Sequence, residues 1–234
     1  MNVTDIPLEE RIIFALDVAD PRKAIALVDR LSDHVRFFKV GMQLFFSGGW
    51  SVVEHIVRKG CKVMLDLKLY DIPATVKLAV EQFADRGISL TTVHGYSPVV
   101  EAALEADTGI QILAVTVLTS FGKEQVSELQ YQGTVEDLVL QRARTVLSVG
   151  CHGIVCSAME APLLRQQLGQ EFVMVTPGIR PAGADLNDQQ RVATPGRAIA
   201  DGSDYLVIGR PIRDAKDPEA CISAIQREIG QALA

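Results

Sequence analysis

Eight short apolar runs, separated by longer amphipathic stretches, set the rhythm of the chain. The runs at 12–16, 36–40, 61–65, 90–93, 111–118, 153–156, 172–175 and 205–208 read as β-strands. Several are almost wholly apolar, the pattern of a strand covered on both faces. Between them apolar residues recur at intervals of three and four, as in Ala24, Leu27, Val28 and Leu31, which is the spacing of one helix face. Asp20-Pro21, Ser97-Pro98, Thr194-Pro195 and Asp217-Pro218 each place a capping side chain before a proline suited to the first helical turn. Ser157 and Glu160 have capping-box spacing. Gly60, Gly87, Gly150, Gly169 and Gly202 follow helical stretches, where a left-handed helix stop favours glycine.

Eight strand–helix repeats in 234 residues predict an α/β chain folded as a single (β/α)8 TIM barrel, with residues 1–234 forming one domain. An open doubly wound sheet usually has fewer strands and an early GxGxxG fingerprint, and the sequence contains no such motif. No Pro/Gly/Ser-rich linker divides it. Segments 121–133 and 177–190, after the fifth and seventh strands, are longer than a barrel turn needs. Both fall on the face where barrels build their active sites.

Composition narrows the class. Hydrophobic residues make up 48% and charged residues 22%, which excludes disorder, collagen and coiled coil. With 23 basic and 29 acidic side chains the net charge is −6, which argues against nucleic-acid or anionic-membrane partners. A small anionic ligand needs only a few local cations and stays open. Cys61, Cys151, Cys156 and Cys221 lack CxxC or zinc-type spacing and read as reduced, mostly buried thiols. MNVTDIPLEER has neither the basic nor the apolar region of a signal peptide, and no apolar stretch is long enough to span a membrane. A soluble, cytoplasmic protein is expected.

Polar residues gather where the strands end. Asp17, Lys39, Asp66, Lys68, Asp71, His94, Thr119-Ser120, Thr176-Pro177-Gly178 and Gly209-Arg210 all sit at or near strand C-termini, positions expected to converge on one pocket. On an extended strand residues two apart share a face, so Asp66 and Lys68 should both point into the barrel mouth, with Asp71 just beyond. The alternative, a solvated charge run with a capping Asp, fits poorly behind the apolar VMLDL approach. A lysine inside Phe37-Phe38-Lys39-Val40 requires a carboxylate partner, and Asp17 is expected to be similarly enclosed. Thr176-Pro177-Gly178-Ile179-Arg180 and Ile208-Gly209-Arg210 each combine approachable backbone N–H groups with an arginine. Singly, each reads as a turn with a surface arginine. After strands seven and eight together, they read as a phosphate grip. His94 and Cys156 are read as structural.

These residues in this order resemble orotidine 5′-phosphate decarboxylases. The likeness is carried by Asp66-x-Lys68-x-x-Asp71-Ile72-Pro73, with Leu16-Asp17, Phe38-Lys39-Val40-Gly41, Val117-Leu118-Thr119-Ser120, Thr176-Pro177-Gly178-Ile179-Arg180 and Ile208-Gly209-Arg210-Pro211. DxKxxD alone is shared with related sugar-phosphate enzymes; the continuations make the match specific. The resemblance implies conversion of orotidine 5′-monophosphate to UMP and carbon dioxide, the last step of de novo UMP synthesis, without metal or organic cofactor. It implies that Lys68 protonates C6, that Asp66 lies against the departing carboxylate, and that Lys39 and Asp71 complete the charge array. Lys68 is expected to be held protonated by the carboxylates around it. It further implies a homodimer in which Asp71 and Thr75 enter the neighbouring subunit's pocket. Asp17 and Lys39 would meet ribose hydroxyls, Thr119 and Ser120 the base, and Arg180, Gln189, Gly209 and Arg210 the phosphate, with Pro177 beside it. Segment 177–190 is expected to close over the ligand. Two rivals remain at this stage: a magnesium-dependent sugar-phosphate lyase or aldolase with the same core, and a catalytically silent barrel that only binds.

Overall fold

A computed structural model describes residues 6–181 and 193–234. Its eight strands are β1 (Ile12–Ala15), β2 (Phe37–Gly41), β3 (Lys62–Leu69), β4 (Ile88–His94), β5 (Gln111–Val115), β6 (Gly153–Val155), β7 (Val173–Thr176) and β8 (Tyr205–Ile208). Each pairs in parallel with the next, and β8 returns to β1, so the sheet closes as a (β/α)8 barrel. Ten α-helices surround it among the described residues: α1 (Pro21–Leu31), α2 (Met42–Arg58), α3 (Pro73–Glu81), α4 (Ser97–Leu104), α5 (Lys123–Glu128), α6 (Val135–Ser148), α7 (Ala161–Leu168), α8 (Pro195–Ala200), α9 (Arg210–Arg213) and α10 (Pro218–Leu233).

Strand alternation divides the apolar residues into two shells. Ile13, Phe37, Met64, Leu90, Leu113 and Tyr205 are among those that fill the barrel interior. Their neighbours Ile12, Phe14, Phe38, Val63 and Leu65 point outward under the helices. Phe37 meets Tyr205 edge-on inside at 5.5 Å, while Phe14 meets Phe38 outside at 6.1 Å. The helices start where the sequence indicates. Asp20, Thr194 and Asp217 each accept a hydrogen bond from a backbone N–H in the first turn of the following helix. The five glycine stops all have positive φ, between 66° and 104°.

Two expectations need correction, and a third, the capping box, is present but opens a tighter turn. Ser97 does not cap α4: it is already helical, and Tyr96 holds the N-cap position without a side-chain bond. The Ser157–Glu160 box closes on a 3-10 turn, Ala158–Glu160, which leads into α7. β5 ends at Val115, short of the expected residue 118; Thr116, just beyond it, donates to the Val155 carbonyl through both its N–H at 3.2 Å and its hydroxyl at 3.0 Å. The long 121–133 segment contains α5, and most of 177–190 lies outside the described residues.

Candidate active site

β2 and β3 carry the charged centre. Along β2 the inward residue after Phe37 is Lys39, which pairs with Met64 on β3; the next inward residue of β3 is Asp66, which pairs with Gly41 one step nearer the mouth. Both are only 8% exposed. Lys39 Nζ lies 3.1 Å from Asp17 Oδ1 and 3.4 Å from Asp66 Oδ2, and Lys68 Nζ lies 2.8 Å from both oxygens of Asp66. The four side chains therefore form an unbroken series, Asp17–Lys39–Asp66–Lys68, with signs alternating. Asp17 is not enclosed as expected. Its side chain is 52% exposed, because β1 ends at Ala15 and Asp17 stands on the rim.

Simple alternation does not place Lys68. Leu65 pairs with Thr91 and Leu69 with Val93, so four residues of β3 span two of β4 and the strand bulges between them. Lys68 itself has φ 49°, a left-handed backbone that costs a side-chain-bearing residue about 1–2 kcal/mol. Thr92, fully buried on β4, accommodates the bulge. It accepts the Lys68 N–H at 2.9 Å and donates its own hydroxyl to Asp66 Oδ1 at 2.9 Å. The sequence reading passed over Thr92. Alternation from Leu90 would have placed it on the inward face, level with the charges.

Burial alone would push the Asp66 carboxyl up. The Lys39 and Lys68 charges, with hydrogen bonds from Lys68 and Thr92, instead hold it below the usual carboxylate range. Burial likewise disfavours the Lys39 ammonium, yet the carboxylates of Asp66 and Asp17 raise its pKa above the ordinary lysine value. Both groups are therefore ionised at neutral pH. Gly41 closes the cluster from the side: a Cβ there would come within 3.0 Å of Lys39 Nζ and 3.5 Å of Asp17 Oδ1.

The cleft above these charges holds about 220 Å3. Its floor is apolar, formed by Ala15, Met64, Val155 and Val207. One wall carries Lys39, Asp66 and Lys68; the other carries Thr119, Pro177, Gly178, Arg180, Gly209 and Arg210. Gly178 adopts φ 81° at the end of β7. Arg180 is buried, with Nη1 donating to the Ile179 carbonyl at 2.8 Å, so the reading of a surface arginine fails for it. At Gly209 a Cβ would lie 3.3 Å from that of Ala15, so the backbone of β8 passes close to β1 at the rim.

Other expected members lie elsewhere. Asp71 is exposed and accepts the Ile72 N–H at 2.7 Å, Thr75 is exposed in the first turn of α3, and Ser120 is exposed past Thr119. None of the three lines this chain's own cleft. Thr176 points away from it, bonding Ser203 Oγ at 3.0 Å. His94 meets the Tyr70 ring outside the cleft, and burial, then the Lys68 and Arg142 charges, lower its pKa. Gln189 lies outside the described residues.

Comparison with known proteins agrees with this geometry. The model of the orotidine 5′-phosphate decarboxylase / HUMPS family matches residues 10–225. The orotidine 5′-phosphate decarboxylase of Afipia carboxidovorans is 49% identical over 234 residues, covering 99% of this chain and 100% of its own. That of Rhodopseudomonas palustris is 48% identical, covering 99% of each. The crystal structure of orotidine 5′-phosphate decarboxylase from Lactobacillus acidophilus superposes with a TM-score of 0.83 at 36% identity, covering 94% of this chain and 99% of that one. With the family model matching most of its length, this chain belongs to the orotidine 5′-phosphate decarboxylase / HUMPS family.

Proposed function

We propose that the chain is a carboxy-lyase that converts orotidine 5′-monophosphate to UMP and carbon dioxide, with Lys68 as the proton donor. The observation that carries the reading is the ammonium of Lys68, held 2.8 Å from both Asp66 oxygens at the edge of a cleft whose far wall bears two arginines. In the reaction the bond from C6 to the carboxylate breaks and leaves its electron pair on C6. The pyrimidine ring delocalises that pair poorly, so a fixed ammonium is the natural stabiliser. Lys68 then transfers a proton to C6 and is reprotonated from solvent. Asp66 aims that ammonium and lies against the departing carboxylate. Asp17 and Lys39 take the ribose hydroxyls, and Thr119 and Ser120 the base. Pro177, Arg180, Gln189, Gly209 and Arg210 surround the phosphate, whose binding energy is spent on ordering the charges.

Asp66 has little capacity left for a divalent cation, because two ammonium groups and the Thr92 hydroxyl already occupy its oxygens. That donor set, with relatives named as decarboxylases, disfavours the magnesium-dependent lyase. The working unit is a homodimer of single catalytic domains in which Asp71 and Thr75 complete the partner's cleft. Their exposure next to Tyr70 and Ile72, two large apolar side chains open to solvent, supports that arrangement. The compartment is the cytoplasm. Among the described residues no helix is long and apolar enough to cross a membrane.

The test is decarboxylation of orotidine 5′-monophosphate by EDTA-treated protein, followed by ultraviolet absorbance. Rapid conversion is expected, and Lys68→Ala should lose at least about a hundredfold in turnover while still binding UMP. Turnover of a sugar phosphate only with magnesium would overturn the reading, and near-normal turnover by Lys68→Ala would overturn the proton-donor role.

A further inference from the structure

Beside the cleft, the barrel mouth carries an aromatic cluster that the reaction leaves unused. Tyr70 lies between Lys68 and Asp71 in sequence. Its ring stacks on that of Tyr96, with centroids 5.2 Å and planes 29° apart, and meets the edge of His94 at 5.2 Å. The Arg142 guanidinium lies 5.2 Å from the centre of the Tyr96 ring and donates to the Tyr96 hydroxyl at 3.4 Å. Its other end donates to the Thr116 carbonyl at 2.7 Å, just beyond β5. A line of contacts thus runs from the end of β5, through α6 and the end of β4, to the residue that follows β3.

Core packing does not account for this stack. Tyr70 is 62% exposed and Tyr96 41%, so neither ring buries the area that makes an aromatic a core anchor. The backbone suggests a different purpose. Lys68 holds a left-handed φ, a conformation that persists only where its surroundings over-determine it. Upstream, Thr92 and Asp66 supply that restraint. Downstream, the ladder makes one more pairing, Leu69 with Val93, and ends. Tyr70 is the first residue past it, where a restraint still acts on both Lys68 and Asp71.

We propose that Tyr96, braced by Arg142, is a positioning residue for this reaction: by stacking on Tyr70 it fixes the turn from Lys68 to Asp71. The Lys68 ammonium is thereby aimed into its own cleft and the Asp71 carboxylate toward the neighbouring subunit. The inference rests on the roles given to Lys68 and Asp71 above.

The test compares Tyr96→Ala, Tyr96→Phe, Tyr70→Ala, the double alanine variant and Lys68→Ala. A stacked aromatic pair of ordinary strength predicts that Tyr96→Ala lowers kcat about fivefold to tenfold. KM and UMP affinity should stay within about twofold, because the phosphate and ribose contacts do not pass through the stack. Tyr96→Phe keeps the ring and should retain kcat. The double variant should be no worse than the worse single one, since the two rings act as one unit. Unchanged kcat in Tyr96→Ala, with Lys68→Ala inactive, would overturn the proposal and leave the mechanism standing. Multiplying effects in the double variant, or a lost dimer at assay concentration, would also overturn it. An active Lys68→Ala would remove the mechanism and this proposal together.

Discussion

Replacing Thr92 by valine removes a hydroxyl that connects Asp66 to the Lys68 backbone while keeping the side chain's shape. The hydroxyl donates to a carboxylate and accepts a backbone N–H, both at 2.9 Å, in a fully buried position. A hydrogen bond to a charged group contributes about 1.5–3 kcal/mol, and an N–H left without a partner costs about 1–3 kcal/mol. The valine methyl recovers about 1–2 kcal/mol, because a hydroxyl no longer has to leave water. The expected net loss is about 2–4 kcal/mol. Guanidinium unfolding of wild type, Thr92→Val and Thr92→Ser at one protein concentration measures it, a shared concentration being essential if the chain assembles. Thr92→Ser should recover most of the loss. Turnover of Thr92→Val should also fall, by about tenfold or more, because the Lys68 backbone is freed. Stability within about 0.5 kcal/mol of wild type, with turnover unchanged, would refute the reasoning: Asp66 and Lys68 would then hold each other without Thr92.

Three further outcomes follow from the geometry. On the homodimer proposed above, mixing inactive Lys68→Ala with inactive Asp71→Ala should restore about a quarter of wild-type activity, since half the dimers would be hybrids and each hybrid would hold one intact site; no recovery after subunit exchange would confine the site to one chain. His152 is exposed overall, but its Nδ1 accepts the Ile112 N–H at 3.0 Å, and partial burial of the ring lowers its pKa below the usual 6.5, so a small effect is expected. Its contribution to stability is therefore complete above pH 6.5 and is lost as pH falls through the lowered folded value. The melting temperature should drop over that range, less steeply in His152→Asn, and equal slopes would dismiss His152 as the cause. Gly41→Ala would press a methyl against Lys39 Nζ, so UMP affinity should weaken about tenfold with the melting temperature nearly unchanged; unaltered affinity would mean that the lysine yields freely.

Much of the barrel was legible because its signals are local. Apolar runs, caps and glycine stops each depend on a few neighbouring residues, and each of the eight strands overlaps its predicted run, with β5 the one that stops well short. The charged centre is partly legible for a related reason: a lysine in an apolar strand requires a carboxylate partner, but that Lys39 meets Asp66 as well as Asp17 is decided by the neighbouring strand. Misreadings arose where distant chain segments decide. Thr92 matters only because β3 bulges against β4, and no local pattern in β3 announces a left-handed Lys68. Ser97 looked like a cap, but the helix begins one residue earlier than its proline suggests. Asp17 was expected to be buried by its apolar approach, yet β1 stops before reaching it.

The apolar floor of the cleft has an electrical consequence. Below Asp66 and Lys39 the barrel is packed with side chains such as Met64, Ile13 and Phe37, which polarise weakly. The field of the alternating charges is thus screened from one side only, by water standing in the mouth. Any ligand that fills the mouth displaces that water, and the same fixed charges then act through a poorer dielectric. The barrel can therefore strengthen its own electrostatics upon occupancy without moving an atom of the array. Substitutions that open the floor to water, Val155→Thr or Val207→Ser among them, would weaken that amplification while leaving every charge in place.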